Sequence, residues 1–276
     1  MTDAAKVVEH YGTSDLRSRI AVALATAGLE GNQLTPQVLA PLDQFHIRGL
    51  ASTIEFAAAV GVARGAHVVD IGSGLGGPSR YLAATFGCEV HGIDLNPSFV
   101  EAATYLTERC GLSDTATFEC ADALSLPVDD RSADLAWTQH VAMNIADRAR
   151  MYAEAFRVIR PGGRFAIHDI LAGTGELHFP VPWSATPATS FLMTPDAMRS
   201  ALERQGFRVS SWTDHTPDGI AWLKEIRANM VALVGPPPPL GLHVVMGPGF
   251  PEMAGNLARN LEEGRASVVQ VVLDRP

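Results

Sequence analysis

His67-Val68-Val69-Asp70-Ile71-Gly72-Ser73-Gly74-Leu75-Gly76-Gly77 decides the fold. Its first half is a short β-branched, apolar run, the pattern of a buried strand. Its second half is rich in glycine, which lets a backbone turn sharply and approach a ligand closely. A helical stretch follows to about residue 86, and its first turn presents unpaired N–H groups. The next strand, residues 89–93, is followed by Asp94, 20 residues beyond Gly74. A carboxylate there accepts hydrogen bonds from ribose hydroxyls, so strand, turn and acid together predict a site for an adenosine-type cofactor.

The same rhythm continues outward. A helix is expected over 97–110, strands over 116–120 and 133–137, an amphipathic helix over 147–159, and a strand over 164–170 after the turn Pro161-Gly162-Gly163. Strands alternating with helices predict a parallel sheet covered on both faces. Residues 171–193 read as a loop, 194–206 as a helix and 207–212 as a strand. Residues 214–265 read as a mostly helical insertion, broken at Gly235 and at Pro236–Pro239, which is expected to be polyproline. An alternating strand closes the chain at 267–273. Upstream, residues 1–64 read as a helical cap. Ser14 is expected to cap a helix through Leu16, Ile20, Val22 and Leu24, and a further helix is expected over 53–60. Between them Phe45 and His46 have no evident core role. The domain expectation is a cap over 1–64 and a catalytic domain over 65–276.

Composition narrows the function. The 276 residues are 47 % hydrophobic and 18 % charged, with a net charge of −9, which suits a globular core and is a poor match to phosphate backbones. Nucleic acid is therefore not an expected partner. The three cysteines, Cys88, Cys110 and Cys120, form no CxxC pair, so neither a disulfide framework nor a metal site is expected. There is no signal-peptide pattern at residues 1–12 and no membrane-spanning apolar run. The expectation is a soluble cytoplasmic protein, whose apolar balance permits a homodimer.

Gly72, Gly74 and Gly77 also satisfy a dinucleotide fingerprint, but Asp70 at the strand end would repel a pyrophosphate and suits a cationic amino-acid group. Asp122, after the third strand, is placed to accept from an adenine amino group or to cap a helix. At these residues the chain resembles the class I S-adenosylmethionine-dependent methyltransferases. The resemblance covers residues 68–170 and implies that Asp70, Gly72, Gly74 and Gly76 hold the methionine end. Asp94 then holds the ribose, Leu95 lies against adenine, Asp122 with Ala123 meets its edge, and Gln139 also touches the cofactor. It further implies a Rossmann-like α/β sheet of seven strands, the last antiparallel and inserted between two others. A narrower resemblance, carried by Asp43-Gln44-Phe45-His46, Gly74–Arg80, Gln139–Ile145 and Pro180–Trp183, is to small-molecule enzymes of the sarcosine/dimethylglycine N-methyltransferase type.

Methyl transfer from a sulfonium is an in-line displacement that needs alignment and a dry pocket. Three regions are expected to reach the acceptor: the loop after the fourth strand, the strand-five exit with His168 and Asp169 running on to Trp183, and the Phe45-His46 segment as a lid. His140 and His46 are the candidate catalytic residues, with a hydrogen-bonded loop residue as the alternative for His140 and a cap packing residue as that for His46. Phe45, Asn144 and Trp183 are the candidate acceptor residues, with helix capping as the alternative for Asn144. The expected reaction is methylation of a small molecule at an amine nitrogen, with product S-adenosylhomocysteine. O- or C-methylation and a silent S-adenosylmethionine-binding protein remain the alternatives.

Overall fold

A computed structural model describes residues 15–233 and 235–276; the proposed cap at Ser14 lies outside them. Seven strands form one sheet in the order β3-β2-β1-β4-β5-β7-β6. They are β1 (His67–Ile71), β2 (Glu89–Asp94), β3 (Ala116–Cys120), β4 (Ala133–Gln139), β5 (Ile159–Ala172), β6 (Arg208–Asp214) and β7 (Ala266–Asp274). β1 to β5 run parallel, and β7 pairs antiparallel with both β5 and β6. This is the expected seven-stranded α/β architecture. β1 and β4 are neighbours, and the connection from β1 runs toward β2 while that from β4 runs toward β5, which opens a crevice at their carboxyl ends.

Alternation along the strands divides the core. Val68, Val90, Leu135, Trp137 and Val272 pack on one face against Phe56 and Val60 of α3 (Gly49–Val60) and Tyr81 and Leu82 of α4 (Gly77–Phe86). Val69, Ile71, Phe165 and Val271 pack on the other against Met151 and Tyr152 of α6 (Arg148–Val158) and Met198 and Leu202 of α7 (Pro195–Arg204). Helix α5 (Pro97–Arg109) receives α1 (Leu16–Thr26) and α2 (Pro36–Asp43) through a third cluster that includes Leu24, Leu42, Phe99 and Leu106.

Several boundaries differ from expectation. Val22 is exposed, and Leu16, Ile20, Ala23 and Leu24 form the buried face of α1. Helix α3 begins four residues before Thr53 because Arg48 adopts φ +67 and turns the chain, its guanidinium bound to both oxygens of Glu55 at 2.6 and 2.7 Å. The Pro161-Gly162-Gly163 turn is absorbed into β5 as an irregularity: Ala133 pairs with Ile159, and Leu135 already pairs with Arg164. The 214–265 insertion is α8 (Thr216–Ala232), α9 (His243–Met246) and α10 (Phe250–Glu262). Residues 236–239 between them are irregular, with bends at Pro236 and Pro239.

Candidate functional site

The crevice beyond β1, β2 and β4 opens into a cavity of about 1280 Å³. Asp70, Gly72 and Gly74 line it from β1 and its turn, Asp94 and Leu95 from β2, Asp122 and Ala123 from β3, and Gln139 and His140 from β4. Phe45, His46, Asn144 and Trp183 complete the predicted set. Gly76 does not line the cavity. It starts α4 at φ +75, where a Cβ would lie 2.5 Å from the Phe118 ring and 2.9 Å from the Arg80 guanidinium. Its smallness serves packing, which a motif cannot distinguish from ligand contact.

The turn is held from below. Arg80, fully buried, donates to Asp43 Oδ2 at 2.7 Å, to the Leu75 carbonyl at 2.5 Å, and to Thr107 Oγ1 at 2.9 Å. One guanidinium thus ties the end of α2, the glycine turn and α5 together. Asp94 is aimed by two backbone donors, Gly74 N–H on Oδ2 and Asn96 N–H on Oδ1, each at 2.9 Å. Asp122 accepts from Leu124 N–H at 2.9 Å in a local turn and caps no helix. Asp70 accepts a 2.5 Å bond from the Ser79 hydroxyl. Burial nonetheless pushes its pKa up to about 7, opposed by that bond and assisted by the charge of Asp94.

These residues fit S-adenosylmethionine. A Cβ on Gly74 would meet only the Phe45 ring, at 3.9 Å, so the turn faces open space. Asp70 is a buried carboxyl whose ionised form the cationic group of a ligand would stabilise. Ser73 Oγ and Asn96 Nδ2 are buried without a hydrogen-bond partner and belong to residues lining the cavity; buried polar groups demand one, and polar atoms of a ligand would supply it. Ser73 and Asn96 carry no sequence signal beyond their position next to Gly72 and Asp94.

Three imidazoles meet on the acceptor side: His46 and His168 are buried, and His140 is half-buried. The ring centroids of His140 and His168 are 4.8 Å apart, and those of His46 lie 5.5 Å from His168 and 6.0 Å from His140. His46 Nε2 is 2.9 Å from both the Gly49 carbonyl and Thr53 Oγ1. The carbonyl can only accept, so the proton is on Nε2. Gln139 Oε1 accepts from Trp137 Nε1 at 2.9 Å, and its Nε2 donates to His168 Nδ1 at 3.3 Å. His140, at φ +54, has an Nε2 with no partner. Burial lowers the pKa of all three, that of His46 to about 4 and those of His140 and His168 well below the usual range. Among the described residues no group of three or more His, Cys, Asp or Glu is placed to hold a metal ion.

His46 therefore lines the cavity and also holds the packing role given as its alternative, and Phe45 stacks edge-on against Phe99 at 5.8 Å. The strand-five exit is also different from expectation. His168 lies behind the wall, and Asp169 forms a buried pair with Arg148 at 3.3 Å; Ile170 is the β5 residue that lines the cavity. Asn144 does not cap α6, since Asp147 does so through Arg150 N–H. Trp183 is buried and donates from Nε1 to Ser190 Oγ at 2.9 Å. The insertion contributes a whole wall that was not foreseen, including Trp222, Ile226, Met230, Leu242 and Met246.

Residues 69–167, which carry the glycine turn and the cavity-lining Asp70, Asp94 and Asp122, match the family model described as a methyltransferase domain. They form a class I methyltransferase domain. S-adenosylmethionine is the cofactor of this class. The chloroplastic tocopherol O-methyltransferase of Arabidopsis thaliana is 43 % identical over 121 residues, covering 42 % of this chain and 34 % of that protein. The dimethylglycine N-methyltransferase of Parasynechococcus marenigrum (strain WH8102) is 32 % identical over 154 residues, 55 % of each chain. The matches thus span about a third to about half the length of these relatives. Around the methyltransferase domain the whole fold resembles geranyl diphosphate C-methyltransferase from Streptomyces coelicolor A3(2), solved with S-adenosyl-L-homocysteine. That likeness has a TM-score of 0.72 at 16 % identity and covers 100 % of this chain and 99 % of the other. Relatives of the domain thus act at oxygen, nitrogen and carbon.

Among the described residues no helix is long and apolar enough to cross a membrane. Asp94→Ala is expected to weaken S-adenosylmethionine binding by about 10- to 100-fold, the loss of two charge-assisted hydrogen bonds, as read by calorimetry.

Proposed function

We propose that this chain transfers a methyl group from S-adenosylmethionine to a small-molecule acceptor. One observation carries the reading: a single cavity joins the Asp70 and Asp94 carboxylates to the imidazoles of His46 and His140. S-adenosylmethionine, when bound, supplies a methyl group on a cationic sulfur. Asp70 would hold the cationic amino-acid end, Asp94 the ribose, Leu95 the adenine face, and Asp122 with Ala123 the adenine edge. The imidazoles are neutral at pH 7, so they place no like charge beside the sulfonium. The partnerless His140 Nε2 orients the acceptor by hydrogen bonding. Trp183 and the segment 43–47 exclude water, and residues 1–64 act as the cap.

An amine nitrogen is the acceptor this arrangement serves most simply, because an unprotonated amine attacks without prior proton removal and leaves His140 only to orient it. A hydroxyl acceptor is the second reading, favoured by that same unpaired Nε2, which can accept an O–H hydrogen bond. The free thiols of Cys88, Cys110 and Cys120 suit a reducing compartment such as the cytoplasm. Transfer of a labelled methyl group to a panel of amines and phenols tests the reading. Cofactor binding with no turnover on any of them would favour a silent binding protein, and binding of NAD without S-adenosylmethionine would end the proposal.

The Asp70 carboxyl gives a pH signature. With a pKa of about 7 it is ionised above pH 7 and ready for a cation. Below pH 7 binding must first expel its proton, so affinity falls by up to about tenfold per pH unit. Calorimetry between pH 5.5 and 8 should show this slope, and Asp70→Asn should abolish it. The sign for stability is opposite: the folded pKa exceeds the unfolded one, so the cofactor-free fold loses stability as pH rises from about 4 to about 7.

A further inference from the structure

The cavity exceeds what the cofactor needs. Ligand pockets commonly measure roughly 300–1,000 Å³; this one measures about 1280 Å³ and is partly open to solvent. The carboxylates that line it, Asp43, Asp70, Asp94, Asp122 and Asp147, come from the strand ends and the segments beside them. The part bounded by α8, α9 and α10 presents apolar side chains, among them Trp222, Ile226, Met230, Leu242, Met246 and Leu257. Among the described residues Arg227 is the one arginine or lysine that lines the cavity, and it is exposed.

Helix α8 divides in the same way. Its first half is anchored: Leu223 is buried, Gly219 packs against Ile47, and Asp218 lies 3.9 Å from Arg48. Its second half lines the cavity without a covering layer, leaving Ile226 39 % and Met230 55 % exposed, with Val231 and Leu233 beyond them. Large apolar side chains left open beside a cavity mark a binding surface. This surface is continuous with the acceptor end, so its occupant is the acceptor itself.

We propose that the acceptor is an uncharged molecule with an extended apolar body, its reacting atom toward His140 and its body along α8 against Ile226 and Met230. This rests on the methyl-transfer reading above. A zwitterionic amino acid would bring a carboxylate that this wall meets only at Arg227, and it has no apolar body to bury.

The test uses the protein loaded with S-adenosylhomocysteine and a series from 4-butylaniline to 4-decylaniline, neutral amines of growing chain length, titrated by calorimetry. Affinity is expected to tighten by at least about twofold per methylene, full burial being worth about fourfold, at one molecule per chain. N,N-dimethylglycine at the same concentrations is expected not to bind. Ile226→Asp and Met230→Asp, at partly exposed positions, are expected to fold, to keep S-adenosylhomocysteine affinity within about twofold and to flatten the chain-length dependence. Affinity independent of chain length, an unchanged slope in both variants, or dimethylglycine binding more tightly than 4-decylaniline would overturn the acceptor class alone. Failure of the wild-type protein to bind S-adenosylhomocysteine would overturn the methyl-transfer reading and this inference with it.

Discussion

Asp43→Ala is expected to destabilise the fold by about 3–5 kcal/mol, the loss typical of a buried charge left without its partner. Asp43 and Arg80 have fully buried side chains 2.7 Å apart. A guanidinium stripped of its carboxylate cannot shed its proton, so Arg80 has no route to neutrality. At roughly 2–4 °C per kcal/mol for a chain of this size, Tm should drop by about 6–20 °C. Urea titration monitored by circular dichroism measures the loss. Asp43→Asn keeps an oxygen for the guanidinium and should lose less. Because the same guanidinium holds the Leu75 carbonyl, both variants should also loosen the glycine turn and weaken cofactor binding. An Asp43→Ala variant as stable as wild type would mean that water reaches Arg80.

Gly74→Val is expected to reduce S-adenosylmethionine affinity by 100-fold or more, about 2.8 kcal/mol. The three spaced glycines of the turn are constrained by different things. A Cβ at Gly72 would lie 2.4 Å from Val141, and one at Gly76 would strike Phe118 and Arg80, whereas one at Gly74 would enter open cavity. The valine therefore takes the ligand's space and leaves the core intact. Its φ of +54 adds strain of at least about 1–2 kcal/mol, so the fold should weaken but persist. Gly76→Val should do the reverse and damage the fold first. Calorimetry beside thermal melts separates the two; unchanged affinity in Gly74→Val would make the turn purely structural.

The contrast explains what could be read in advance. Asp70, Gly74 and Asp94 were legible because each answers a local demand: a strand end, a tight turn, an acid one strand later. The order of elements was legible because hydrophobic period changes between strand and helix. Gly76 was assigned to the ligand because a motif records that a glycine is needed, not what stands over it. Ser73 and Asn96 were missed because small polar residues are common in turns, and only their unpaired buried atoms single them out. The α8 wall was missed because Trp222, Ile226 and Met230 recur at helical spacing, a pattern identical to that of a helix packed on a core. His168 and Asp169 were given to the acceptor because strand register, which decides which side chain faces the crevice, depends on partners distant in sequence.

The antiparallel insertion of β7 has a consequence for how the chain acquires its shape. Residues 266–274 fill the gap between β5 and β6, and Gln270 reaches Ser52 of α3 at 3.0 Å. Until that segment leaves the ribosome, β5 and β6 are two unpaired edges with no bond between them, and unpaired edges invite association with other chains. The first five strands can assemble as they emerge, since each of β2 to β5 pairs with a strand made before it. The sixth must wait for the seventh. Closure then depends on pairings such as Arg164 with Asp274, far apart in sequence, a slow class of event. The nascent sheet is accordingly most prone to aggregate in the interval between the emergence of β5 and the delivery of β7.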